Sequence, residues 1–185
     1  AGLVIGKPSK GRGLGPYDPH IMHCTYGLAV DKLGRAWVAE ASFHPKRVSL
    51  WDGSTGELIR EFIGPPLYGG GGSFDPRDSS RFVYNGVEFA VDWQKGFWHP
   101  SAILQIMPQP VAAAGIGADA RGLTCSIRYA GDRRLLVNES SWLGFLLVSD
   151  ISVPAARPLC MVWGTNPPSG LNVWSDSNGD GVGDL

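Results

Sequence analysis

Between Gly27 and Pro65 the apolar positions fall in short runs, each cut off by a polar turn. Leu28-Ala29-Val30 runs into Asp31-Lys32-Leu33-Gly34, and Ala36-Trp37-Val38-Ala39 follows. Val48-Ser49-Leu50-Trp51 then leads through Asp52-Gly53-Ser54-Thr55-Gly56 to Leu58-Ile59-Arg60-Glu61-Phe62. Runs this short, each stopped by Gly or Asp, predict antiparallel strands and not helices. Four strands in about forty residues is the size of one blade of a β-propeller.

The pattern returns further along. Val87-Glu88-Phe89-Ala90-Val91-Asp92-Trp93-Gln94-Lys95-Gly96-Phe97-Trp98 repeats the order Ala-Val-Asp, a turn ending in Gly, then an aromatic. A looser copy spans Cys125 to Asp132 and Leu135 to Glu139, and Phe145–Val148 and Cys160–Trp163 supply further strands. The expected class is all-β, a partial propeller of about three blades. Residues 1–19, rich in Gly, Lys and Pro, read as an entering arm. Residues 20–174 hold the blades, with 65–86 as an insertion loop, and 175–185 form a separate acidic loop. Pro108 to Gly117 reads as a loop in which Val111-Ala112-Ala113-Ala114 suits a short helical turn. In this reading Trp37, Trp51, Trp93 and Trp98 pack blade faces, Asp31 and Asp92 cap turns, and Gly34 and Gly96 supply positive φ.

Composition agrees with many turns between short strands: 26 Gly and 14 Pro in 185 residues, with 7 Trp for packing between sheets. A net charge of -1 gives no general electrostatic attraction for nucleic acid or an anionic membrane. No apolar run approaches the roughly 20 residues of a membrane-spanning helix. Cys24, Cys125 and Cys160 cannot all pair with one another and show no CxxC spacing. The chain opens on Ala without a basic-then-apolar leader, and Asp184-Leu185 interrupts an acidic motif, so a piece of a longer protein is expected. A partial ring leaves blade faces uncovered, and the missing blades then come from the rest of the parent chain or from self-association.

GLAVDKLGRAWVAE followed by RVSLWDGSTGELIREFIGP resembles the NHL-repeat type of β-propeller. The stretch from Asp18-Pro19-His20-Ile21-Met22-His23-Cys24 through Tyr68-Gly69-Gly70-Gly71-Gly72 to Asn85-Gly86-Val87-Glu88-Phe89 is similar to propeller regions of large secreted bacterial proteins. The resemblance implies a secreted, periplasmic or envelope location. It implies a binding or scaffolding role toward a protein or small-molecule ligand, because propellers host many functions.

Four groups of residues are candidates for chemistry. In Asp176-Ser177-Asn178-Gly179-Asp180-Gly181-Val182-Gly183-Asp184, oxygen donors alternate and Gly181 takes the sixth position, as a tight calcium loop requires. Asp176, Asn178 and Asp180 would give side-chain oxygens, Val182 its carbonyl, and Asp184 a direct or water-mediated contact. The run resembles the loops of EF-hands, dockerins and thrombospondin type 3 repeats. His20, His23 and Cys24 are suitable ligands for Zn²⁺ or Cu. NHL-like lyases hold a metal in the propeller channel through His residues, so the resemblance also implies an alternative: a lyase, lactonase or hydrolase using His20, His23 and Glu40, with His44, Glu88 and His99 as possible partners. Tyr68, Gly69, Gly70, Gly71 and Gly72 lack the ending of a phosphate loop and suit a binding loop over one propeller face. Lys46, Arg47, Arg60 and Arg81 with Asp75, Asp78 and Glu88 suit ion pairs around that loop. Ser140-Ser141 lacks the Gly-x-Ser-x-Gly setting of a serine hydrolase.

Overall fold

A computed structural model describes residues 3–41, 45–64, 71–104, 124–140, 144–154, 156–165, 170–180 and 183–184. Every regular element among them is a β-strand, and the strands form three antiparallel sheets. No helix among the described residues is long and apolar enough to cross a membrane. By contacts the chain divides into two compact units. The first holds Ala1–Gly13 and Tyr17–Pro66, the second Leu14–Pro16 and Leu67–Leu185.

Unit 1 carries one four-stranded meander: β2 (Thr25–Val30), β3 (Arg35–Glu40), β4 (Lys46–Asp52) and β5 (Leu58–Gly64), paired in that order. These are the four strands expected from the apolar runs. Asp31 Oδ1 accepts from the N–H groups of Leu33 and Arg35 at 2.9 and 3.1 Å, and Gly34 takes φ 73°, so the first turn is built as its Asp and Gly require. Gly53 is required for a different reason. A Cβ there would lie 1.9 Å from the Gly34 carbonyl oxygen, because the two turns at this end of the sheet touch through backbone. The period-2 alternation sends Ala36, Val38 and Glu40 to the buried face, where Trp51 is fully enclosed. Ile5, Met22 and Leu58 pack against that cluster. The edge strand β2 is exposed throughout, with Tyr26, Leu28 and Val30 each at least 69% accessible.

Unit 2 carries two sheets. In the first, β6 (Ser73–Asp75), β7 (Asp78–Tyr84), β8 (Val87–Asp92) and β9 (Phe97–Ile103) form a meander, and β1 (Gly15–Pro16) adds beside β9. Two expectations are corrected here. The stretch 65–86 is not simply an insertion loop, because Ser73-Phe74-Asp75 and Arg81-Phe82-Val83-Tyr84 alternate and pair as strands around a tight Asp-Pro turn. The arm likewise contributes a short strand, Gly15 facing Ile103 and Pro16 facing Ala102. The second sheet is a five-stranded meander of β10 (Thr124–Ala130), β11 (Arg133–Ser140), β12 (Phe145–Asp150), β13 (Arg157–Thr165) and β14 (Gly170–Ser175).

One face of each sheet meets the other around Val83, Leu104, Cys125, Ile127, Leu136 and Ile151, all nearly inaccessible. Cys125 is a free thiol in this interface, its Sγ within bonding reach of the carbonyls of Val83 and Gly71 at 3.3 and 3.4 Å. Burial pushes its pKa up to about 11. Trp93 and Trp98, expected to pack blade faces, are 61% and 49% exposed. Pro108–Gly117 lies outside the described residues.

Candidate functional site

Each sheet holds a carboxylate that is almost fully buried and closed by guanidinium groups. In unit 1 it is Glu40. As the last residue of β3 it faces Arg47 across the hairpin, and strand alternation turns both side chains toward the core. Arg47 Nε donates to Glu40 Oε2, and Arg12 Nη2 donates to both oxygens at 2.8 and 3.0 Å. The His23 N–H adds a bond of 2.5 Å. Arg47 Nη1 also donates to Glu61 and to the Pro19 carbonyl at 2.5 and 2.7 Å, while the Tyr17 hydroxyl donates to Glu61 at 2.7 Å. Burial pushes the Tyr17 phenol well above its ordinary value, with Arg47 and Arg12 opposing. The cluster thus ties the arm, through Arg12 and Tyr17, to β3, β4 and β5.

In unit 2, Arg134 lies between Asp75 and Glu88, donating Nε to the first at 2.5 Å and Nη1 to the second at 2.7 Å. Glu88 is also held by Arg81 through two bonds, and Asp75 by the Tyr129 hydroxyl at 2.9 Å and the Arg77 N–H at 2.8 Å. The Arg77 guanidinium lies 3.8 Å over the Tyr129 ring. Burial pushes the Asp75 carboxyl up, but the bonds from Arg77 and Tyr129 and the charge of Arg134 outweigh it and hold the group below its usual range. On the last sheet Asp150 faces Arg157 across β12 and β13 and accepts from Arg133 at 3.1 and 3.2 Å. Burial raises it, and the Ser152 N–H and hydroxyl with Arg133 bring it below normal.

Glu40 and Glu88 direct their lone pairs at fixed cations and, for Glu40, a main-chain N–H, and so brace the strands they join. The sign for stability follows from Asp75 and Asp150. A depressed folded pKa contributes stability above the unfolded value of about 3.9 and loses it as pH falls through the folded value. The urea midpoint of unfolding is therefore expected to stay level from about pH 7 to pH 5 and to drop steadily below about pH 4. A midpoint unchanged at pH 3 would contradict this assignment.

The histidine and cysteine candidates do not gather. The His20 ring bonds Asp18 at 3.2 Å and lies edge-on to Trp51, with centroids 6.0 Å apart. His23 contributes its main-chain N–H to Glu40, and Cys24 is exposed at φ 49°. His99 stacks on Phe97, and His44 lies outside the described residues. Among the described residues no three His, Cys, Asp or Glu side chains form a metal-holding group. Of the glycine run, Tyr68, Gly69 and Gly70 lie outside the described residues. The Gly71 carbonyl accepts from the Cys125 N–H, and a Cβ on Gly72 would strike the Phe82 ring at 2.2 Å. These two glycines therefore serve packing. A shallow apolar recess of about 340 Å³ lies beside β2, lined by Ile5, Met22, Tyr26, Leu28 and Val38 among others.

The acidic loop is closed at its base. The Asp184 N–H donates to the Ser175 carbonyl at 2.7 Å, and the Ser177 N–H and hydroxyl each donate to Asp184 Oδ2 at 2.6 Å. Inside it, Gly179 N–H donates to Asp176 Oδ1 at 2.5 Å and takes φ 84°. The Asn178 amide donates to Asp180 at 3.2 Å and to Asp184 at 3.4 Å. Gly181 and Val182 lie outside the described residues.

No family model and no curated protein matches this chain.

Sequence reasoning anticipated the Arg81–Glu88 pair, but Arg47 pairs with Glu40 and Glu61 and Asp75 with Arg134 instead of with the partners expected around the insertion, and Arg12, Tyr17, Glu61, Arg134 and Asp150 were missed. A local signal existed for one of them. Alternation along β11 puts Arg134 on the same face as Leu136, an inward arginine that demands a buried carboxylate.

Proposed function

We propose that this chain is a non-catalytic binding and scaffolding module of the NHL-like propeller type, acting outside the cytoplasm and stiffened by calcium. The observation that carries the reading is the use made of the buried acids. Three sheets, each containing a meander of four or more strands, hold Glu40, Glu88 and Asp150 in arginine cages that brace the scaffold. Such a scaffold offers loops and faces to a protein or small-molecule ligand, and the loop leading into β6 is the first place to look.

The calcium part rests on the closed loop. Its donors are oxygens, the set a hard cation takes. The Asn178 amide bonds both the Asp180 and the Asp184 carboxylates, and Ca²⁺ would neutralise them with a full charge. Asp176, Asn178, Asp180 and Asp184, with the Val182 carbonyl, are the residues that would hold it. Sites of this kind outside cells have dissociation constants of about 10⁻⁴ to 10⁻³ M. Ten millimolar Ca²⁺ is then expected to stabilise the fold by about 1.4 to 2.7 kcal/mol, a rise of a few degrees in Tm. Asp180→Ala with Asp184→Ala should abolish the rise, and Mg²⁺ should not reproduce it. A Tm insensitive to calcium in the parent chain would remove calcium from the proposal.

A further inference from the structure

The chain contains two Asp-Pro bonds, Asp18–Pro19 and Asp75–Pro76. Such a bond is weak for two reasons. The proline nitrogen belongs to a tertiary amide and takes a proton more readily than an ordinary peptide nitrogen. The aspartate carboxylate also reaches its own main-chain carbonyl carbon, closing a five-membered ring.

Both sites start from the same local geometry. The N–H two residues on donates to the aspartate Oδ1, from His20 at 2.9 Å and from Arg77 at 2.8 Å. The ring closed by that hydrogen bond contains the Asp-Pro bond itself, so the oxygen lies alongside it. Beyond this the two sites differ. Asp75 is enclosed, with a side chain 0% exposed, and its oxygens are taken by the Tyr129 hydroxyl and by Arg134. Its bonded partners include no imidazole.

At Asp18 three groups surround the bond. His20 Nδ1 lies 3.2 Å from Oδ1. The Asp18 main-chain carbonyl accepts from the Ile21 N–H at 3.2 Å, a donor placed where negative charge would develop on attack. Lys7 Nζ donates to Oδ2 at 2.6 Å. The Lys7 bond, and after it the His20 N–H, bring the carboxyl down to about 2. It is therefore still an anion where an imidazole carries its proton. Arg47 from β4 bonds the Pro19 carbonyl at 2.7 Å, with Glu61 of β5 and Tyr17 behind it. The Asp18 and His20 side chains are 31% and 46% exposed, so water has access.

We propose that Asp18–Pro19 is a self-cleavage site, at which the Asp18 carboxylate attacks its own main-chain carbonyl. Oδ1 forms the new C–O bond of a cyclic anhydride, and the C–N bond to Pro19 breaks. The Pro19 nitrogen takes a proton from the His20 imidazolium and becomes a new amino terminus. Water then opens the anhydride and leaves Asp18 with a free α-carboxyl group. One water is consumed, and nothing is oxidised or reduced. The cut turns residues 1–18 into a separate peptide, held through Arg12 on Glu40, Tyr17 on Glu61 and the Lys7 N–H on the His20 carbonyl. This activity is independent of the binding role proposed above.

Intact-mass analysis of the 185-residue chain, incubated folded between about pH 8 and pH 3, tests it. Fragments 1–18 and 19–185 should appear, their masses summing to the parent plus one water, and faster as pH falls from about 8 to 5. Asp18→Ala should abolish the cut. His20→Gln should slow it about 100-fold and flatten its rise with falling pH. Both side chains are partly exposed, so neither substitution opens the core. Asp75–Pro76 should stay whole in the folded chain, and in urea the unfolded chain should part at Asp18 about tenfold more slowly. An absence of fragments, a cut that survives Asp18→Ala, a His20→Gln variant as fast as the parent, equal cleavage at Asp75–Pro76, or an unfolded chain that cuts as fast overturns the proposal.

Discussion

Arg134→Met is expected to destabilise the protein by about 3–5 kcal/mol, read as a lower urea midpoint at neutral pH. The side chain fits the space, so the loss is mainly electrostatic. Arg134 holds Asp75 and Glu88, whose side chains are 0% and 5% exposed. Removing the cation leaves both acids in the interface between two sheets. They will not suffer equally. Glu88 keeps Arg81, whereas Asp75 keeps only the Tyr129 hydroxyl and the Arg77 N–H from its present donors. Without Arg134, the Asp75 carboxyl should move up from its lowered position, with the Arg77 N–H and the Tyr129 hydroxyl still opposing its burial. The deficit against the parent should therefore shrink as pH falls toward 4, because the parent loses the Asp75–Arg134 stabilisation there. Asp75→Asn added to Arg134→Met should restore part of the stability in a double-mutant cycle. A deficit below about 1 kcal/mol would show that the pair is effectively solvated.

Glu40→Ala should cost a similar amount, about 3–5 kcal/mol, because Arg12 and Arg47 lose their shared carboxylate in a place where all three side chains are at most 2% exposed. Arg47 retains Glu61 and the Pro19 carbonyl, but the His23 N–H loses its acceptor. Glu40→Gln keeps shape and one acceptor oxygen, and should cost clearly less. The two variants also differ in where they loosen the chain. Arg12 is the arm's link to Glu40, so Glu40→Ala should speed tryptic cleavage at Lys10 and Arg12 while leaving cleavage at Arg128 unchanged. Equal cleavage of parent and variant would mean that the arm is held by other contacts.

The strands from Leu28 to Phe62 were legible because each ends at an Asp or Gly turn whose geometry the side chains enforce, and because alternation separates inward Val38 from outward Trp37. The strands β6 and β7 were hidden. Glycines and an Asp-Pro pair dominate the composition there, and the alternating Phe74, Phe82 and Tyr84 are spread around a turn. The strand β1 had no signal at all, since Gly15-Pro16 has no period and finds its partner at Ile103 far along the chain. The ion clusters failed for the same reason. Arg12 meets Glu40, and Arg134 meets Asp75, across 28 and 59 positions, and no local spacing encodes such a meeting. Exposure of Trp93 and Trp98 was equally unreadable, because an aromatic in a strand tells of affinity for a surface without saying whether that surface is covered.

Cys125 makes the interface between the two sheets of unit 2 a reporter of its own breathing. Only the thiolate reacts with an alkylating agent, and this thiol is both enclosed and shifted to about 11. Cys24 is open to reagent and Cys160 partly so, and they provide the internal reference for intrinsic reactivity. The lag between their modification and that of Cys125 is then a clock for the moments when the sheets part. It reads, in the unmodified sequence and without a denaturant, the free energy of one local opening.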